Sequence, residues 1–344
     1  MMSARNTRSR LGGAISVAAF IGCGARTDLP TEALGTAACS VSKGSVTTLS
    51  SGQEQPRELV LDARNAYVAD WGTTENAFAD GAIVQIPLCG GTPVVLATAQ
   101  AWPDAIAVDA THVYWANAGA EDSSSGGVIR KVPIGGGAIV TLAAELDSPS
   151  GIAVDATSVY WMTATDILST SIEGGPVVTL ATGQTPVSIA LDSSSVYWAN
   201  GAIPSSLMKV STSGGVVTTL TSAPMFGLAA DVIGSIAVSG GYVYWATGDE
   251  FVMALSLSDG SISTLATNQA AATGLVVDAT DLFWGTGSGP NGAIMRLPLT
   301  GGTPTTVARQ GAISIGLNAS LIGWTDLNWG SGDGNEGSVM VTPK

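Results

Sequence analysis

Seven copies of a twelve-residue pattern, their spacing of 37 to 47 residues, and two half-repeats near the chain ends predict an all-β fold. The predicted architecture is a seven-bladed β-propeller with four short strands per blade, since a recurrence of about 40 to 45 residues is the mark of that architecture. The pattern reads IAVDATHVYWAN at 106–117. Its copies begin at Leu59, Ile152, Ile189, Ile236, Leu275 and Ile315. A chain of 344 residues, 45% hydrophobic and only 12% charged, has ample apolar content for such a core.

Within each copy the IAVD run is the first strand and the VYWAN run the second, joined by a tight polar turn. The third and fourth strands form a second hairpin around Gly-Gly or Asp-Gly, the residues that supply positive φ. Side chains of neighbouring strand residues point to opposite faces, and a propeller blade has a neighbour on each face. Tyr114-Trp115, Tyr160-Trp161, Tyr197-Trp198, Tyr244-Trp245 and Phe283-Trp284 are therefore expected to pack between blades rather than to form a ligand box. The Asp that ends the first strand is expected to cap the turn by accepting backbone amides two residues on.

Six second hairpins are complete, but GSVMVTPK at 337–344 has no partner strand after it. The missing partner is expected at the other end, in GSVTTLS within residues 39–53, so that the last blade takes its outer strand from the start of the chain. Cys89 falls in the turn of blade 1. Cys39 falls just before the N-terminal strand of blade 7, so a Cys39 to Cys89 disulfide would lock the closure.

Residues 1–22 carry Arg5, Arg8 and Arg10 ahead of a short apolar run that ends at Cys23. That order is expected of a lipoprotein-type signal peptide with Cys23 as the lipidated residue, although Phe20 stands where Leu is usual and ordinary secretory cleavage stays open. Residues 23–38 would be a short linker and 39–344 one propeller domain, a monomer in the bacterial cell envelope or secreted. Removing residues 1–22 takes away three Arg and no acid, moving the net charge from -14 to -17. Such a surface repels phosphate, which argues against nucleic acid and leaves the lipid as the means of membrane attachment.

The strand motifs VYWAN, VYWMT, LFWGT and IGWTD resemble the YWTD repeats of lipoprotein-receptor propellers, and PSGIAVD with AYVADWG resembles NHL repeats. The likeness spans residues 45–344 and extends to bacterial propeller lipoproteins. It implies the fold and no reaction. YWTD propellers have six blades where seven are counted here, and the motif's final Asp is retained only at Asp70 and Asp326.

His112 is the sole histidine, which excludes a multi-histidine centre. No nucleophile elbow, phosphate loop or dinucleotide fingerprint is present. What differs between blades is the loop after the second strand, long in blades 6, 7, 1 and 2, which are consecutive around a closed ring. This arc carries Trp71, Glu75, Asp80, Glu121, Asp122, Asp326, Trp329, Asp333 and Glu336. It is the expected binding surface for a protein, peptide or glycan, because variable loops on a rigid scaffold carry recognition. No cofactor is expected. The oxygen-rich loops are compatible with Ca²⁺ but lack EF-hand spacing. The competing expectation is a metal-dependent propeller hydrolase, lactonase or lyase with its site in the central channel.

Overall fold

The computed structural model describes residues 45–119, 126–202, 204–222, 233–248, 250–269, 272–287, 291–327 and 336–344. Signal, linker, Cys23 and Cys39 lie outside these residues, as do Glu121, Asp122, Trp329 and Asp333. Seven four-stranded antiparallel sheets form the blades.

Blade 1 comprises β2 (Pro56–Leu61), β3 (Asn65–Asp70), β4 (Gly81–Pro87) and β5 (Val94–Gln100); blade 2 comprises β6 (Pro103–Val108), β7 (His112–Asn117), β8 (Gly127–Pro133) and β9 (Val140–Leu146). Blades 3, 4, 5 and 6 repeat the order through β25 (Thr305–Ala308), with inner strands β10 (Ser150–Val154), β14 (Pro186–Leu191), β18 (Ile233–Ser239) and β22 (Thr273–Val277). In the seventh blade β26 (Ser314–Leu317), β27 (Leu321–Leu327) and β28 (Glu336–Pro343) are completed by β1 (Thr47–Glu54). The β1–β28 pairing is antiparallel, Thr47 opposite Val341 and Glu54 opposite Glu336. Each inner strand packs beside the inner strand of the next blade, and β26 packs beside β2, so the ring is closed.

The aromatic pairs pack as their alternation predicts. Each Tyr joins the cluster that holds the Trp of the following blade: Tyr67 with Trp115, Tyr114 with Trp161, Tyr160 with Trp198, Tyr197 with Trp245 and Tyr244 with Trp284. At the closure between blades 7 and 1 the motif departs, with Gly323 in place of Tyr and Val68 in place of Trp. A Cβ on Gly323 would lie 3.3 Å from both Leu59 Cδ2 and Leu61 Cδ1, so blade 1 leucines fill the volume that an aromatic ring occupies elsewhere.

The turn aspartates cap as expected, and each does more. Asp109 Oδ1 accepts the amides of Thr111 (2.6 Å) and His112 (2.7 Å), while its Oδ2 accepts the Tyr114 hydroxyl at 2.7 Å. Tyr67, Tyr160 and Tyr197 bond Asp62, Asp155 and Asp192 in the same way, at 2.7, 2.9 and 2.8 Å. The repeated Tyr therefore serves packing through its ring and turn geometry through its hydroxyl.

Two further bonding patterns were not legible in the motif. The indole Nε1 of Trp115, Trp198 and Trp284 donates to the side-chain oxygen of Gln100, at the end of β5, and of Gln184 and Gln269, in the connections before blades 4 and 6. Around the channel, a side chain of one inner strand accepts an amide of the next: Glu58 from Ile106, Ser188 from Ile236, Ser235 from Leu275 and Ser314 from Leu59. These latches satisfy buried N–H groups that the sheet ladders do not reach.

Candidate functional site

The connections after second strands and after fourth strands emerge on one face of the ring, opposite the two tight turns of each blade. After β3 the chain runs through residues 71–80, including a single 3-10 turn at Thr74–Asn76, whereas β11 (Ser158–Met162) is followed by β12 (Ile167–Ser171) after only four residues. The long-loop arc is thus present at blade 1, where the loop is described throughout.

That loop is built around Asp80. Its Oδ1 accepts the Thr73 amide at 2.8 Å, and its Oδ2 accepts the Thr73 hydroxyl and the Asn76 side-chain amide, each at 2.7 Å. Burial, the largest single influence, would raise the Asp80 carboxyl, but these bonds together prevail and hold it below its usual range. Gly72, at φ 89°, lies against the Asp80 carboxylate, and a Cβ there would also meet the Gly81 amide at 2.7 Å. Asp80 is consequently the loop's brace, while Glu75 is exposed on its outer turn.

The rings gather beside it. Trp71 meets Phe78 edge-on, with centroids 5.8 Å apart, and Trp102 edge-on at 5.3 Å, while Phe78 and Trp102 stack at 4.9 Å and 28°. All three are partly exposed. The Arg57 guanidinium lies over the Trp71 ring, 3.9 Å from its centroid. Burial lowers the Arg57 pKa against the opposing pull of Asp104, as expected of a cation set on an aromatic face rather than in water.

Backbone bonds fix this cluster. Trp102 donates its amide to Phe78 O at 3.0 Å, Ala118 donates to Trp102 O at 2.9 Å, and Trp71 donates to Gln55 O at 3.2 Å. The loop of blade 1, the lead-in to blade 2 and the link from β1 into β2 are therefore one unit. Phe78 and Trp102 adopt φ of 57° and 55°, a region that bulky side chains rarely enter and that marks stored strain. Sequence reading found Trp71 but missed Phe78, Trp102 and Arg57. The available signal was a lone tryptophan before Pro103, in a connection that carries no aromatic in the next two blades.

Asp70 ends β3 beneath the same unit. It is buried, its Oδ1 has no hydrogen-bond partner among the described residues, and burial with the nearby Glu54 pushes its pKa up to about 8. Asp326 on β27 is partly buried, which also raises its pKa. Glu336 opens β28 opposite Glu54; its side chain lies outside the described residues, as do Glu121, Asp122, Trp329 and Asp333. Among the described residues no three His, Cys, Asp or Glu side chains converge as a metal site would require, and no helix is long and apolar enough to cross a membrane.

Together these features define a seven-bladed all-β propeller with an aromatic, carboxylate-bearing loop face. No protein-family model matches the chain, and no curated protein matches it. Solved structures do. A chain of the nidogen/laminin complex is 16% identical with a TM-score of 0.51, covering 67% of this chain and 97% of that one. The computationally designed Ika8 protein gives 14% identity and a TM-score of 0.55 over 85% of this chain and 98% of its own. PorZ, a surface component of the type-IX secretion system of Porphyromonas gingivalis, gives 12% and 0.60 over 81% of this chain and 36% of its own. At these identities the similarity is one of fold.

Proposed function

We propose that this protein is a non-enzymatic binding scaffold that engages a partner protein through the loop face at blades 7, 1 and 2. The observation that carries this reading is the partly exposed Trp71, Phe78 and Trp102 cluster with Arg57 stacked on it. Trp and Arg dominate the energy of protein interfaces, and here a braced loop holds them in place without the cost of ordering on contact. The repeat-wide acids, by contrast, are engaged in turn capping. The nidogen chain comes from a complex with laminin, and PorZ is named as a surface component; both fit a scaffold working outside the cytoplasm. A peptide or glycan ligand is the narrower alternative for the same face.

The envelope setting belongs to the same proposal. Support comes from the order of basic, apolar and small residues ahead of Cys23, the proposed site of lipidation. Cys89 is held in a disulfide rather than left as a thiol, and we assign Cys39 as its partner across the closure. Mass spectrometry of the processed protein tests both points: a diacylated N-terminal Cys23 and a Cys39–Cys89 cross-linked peptide are expected. An unmodified N-terminus elsewhere, or a Cys23–Cys89 peptide, would overturn them.

The test of function is capture from envelope extracts by the wild-type chain and by W71L/W102L, with quantitative identification of what each retains. A partner held by the first and lost by the second is expected. Equal retention by both would remove the loop face from consideration.

A further inference from the structure

The charge around the aromatic cluster narrows what it can take. The loop at 71–80 carries Glu75 and Asp80 and no basic residue, and the whole chain has a net charge of -14 and a pI near 4.2. Such a face attracts cationic segments and repels anionic ones. The cluster also holds an internal example of the chemistry in question, the guanidinium of Arg57 lying 3.9 Å above Trp71. A planar, weakly hydrated guanidinium stacks on an aromatic face better than an ammonium does.

Arg57 covers Trp71 alone. Phe78 and Trp102 stack on each other at 4.9 Å, remain partly exposed, and are held together by the Trp102 N–H to Phe78 O bond although both take positive φ. A packing role does not require strain at two bulky residues near the surface, whereas a preorganised contact can use it. We infer that the Phe78–Trp102 stack seats an arginine-bearing segment of the partner, with the exposed Glu75 on the same loop supplying a carboxylate. This rests on the scaffold reading and adds the chemistry of what is bound. Partner arginine and Arg57 would then occupy successive aromatic faces, with carboxylates outside keeping the two cations compatible.

The experiment is calorimetric titration of the full chain with hexa-arginine, hexa-lysine and hexa-glutamate peptides. W102L and F78L remove the aromatic faces and keep apolar bulk; E173Q and Y242L act as controls at exposed positions on the turn side of the ring. Thermal melts establish that each variant is folded. Hexa-arginine is expected to bind, more tightly than hexa-lysine, and W102L and F78L to weaken it about tenfold, the scale of a desolvated cation–π contact. E173Q and Y242L should leave it unchanged, and hexa-glutamate should not bind. Absent hexa-arginine binding, equal affinity in W102L and wild type, or equal losses in the turn-side controls would overturn the inference. If a captured partner depends on Trp71 and Trp102 yet is not competed by hexa-arginine, this inference fails while the scaffold reading stands.

Discussion

Lys344 donates its Nζ to Asp278 Oδ2 at 2.6 Å. In blades 1 to 4 the corresponding Asp oxygen accepts a tyrosine hydroxyl, but blade 6 has Phe283 at the tyrosine position and has no hydroxyl to offer. The lysine comes from the adjoining blade 7, with its amide on Ser320 O at 3.1 Å and its Nζ 6.0 Å from the Phe283 ring. One repeat-wide acceptor is thus satisfied by a neighbour where its own blade lacks the donor, and the substitution ties blade 6 to blade 7.

The exchange predicts a coupled pair. K344Q should cost about 0.5–1 kcal/mol, the range for a partly exposed ion pair with a charged hydrogen bond. In an F283Y background the same change should cost less, because the new hydroxyl takes over Asp278. Denaturant unfolding of the four combinations measures the coupling, and strict additivity would refute it.

Tyr114 and Asp109 give a pH-dependent expectation. Burial alone would raise the Asp109 pKa, but bonds from the Tyr114 hydroxyl and the amides of Thr111 and His112 prevail and lower it. A depressed carboxylate adds stability above its unfolded pKa and loses it as pH falls through the folded value. Y114F should therefore cost about 1–2 kcal/mol near neutrality, with the deficit shrinking below about pH 4. A deficit constant from pH 3 to 7 would contradict the assignment.

Asp70 should act with the opposite sign. Its folded pKa of about 8 exceeds the ordinary 3.8, so the folded state retains a proton that the unfolded chain releases. Stability then falls as pH rises between those values, by at most about 1.4 kcal/mol per pH unit. D70N should flatten that decline. Chemical denaturation at pH 5, 6, 7 and 8 checks it, and parallel curves for the two proteins would show that Asp70 is ionised in the fold.

The channel latches predict a graded effect. Ser235 Oγ accepts the Leu275 amide at 3.1 Å, and Glu58 Oε2 accepts the Ile106 amide at 2.9 Å. S235A should cost about 1–2 kcal/mol by leaving a buried N–H unpaired, and E58A more, since it also empties the space of a larger buried side chain. E58Q should recover most of that loss. Melting of the three variants decides the order.

The repeat made most of the fold legible. IAVD and VYWAN runs mark two strands of every blade, the Gly-Gly turns mark the other hairpin, and an unpaired GSVMVTPK against an unpaired GSVTTLS anticipates β28 paired with β1. Residues whose role is set by a neighbouring blade were not legible. Nothing local to Gly323 says that Leu59 and Leu61 fill its place, and nothing local to Gln100 says that Trp115, Asn117 and Arg130 all donate to it. The site was half visible for the same reason. Loop length, Trp71 and Asp80 marked this loop as a candidate, and the bonds by which Asp80 braces it were not legible. Trp102 joins the cluster only because the lead-in to blade 2 crosses over blade 1.

Under the proposed function, binding is expected at the loop face of blades 7, 1 and 2 and not at the opposite face or the channel. Capture from envelope extracts by the wild-type chain, by W71L/W102L and by the turn-side variant E173Q/Y242L tests it most directly. A partner retained by the wild type and by E173Q/Y242L and lost from W71L/W102L is expected. Retention by all three, or loss only from E173Q/Y242L, would contradict it.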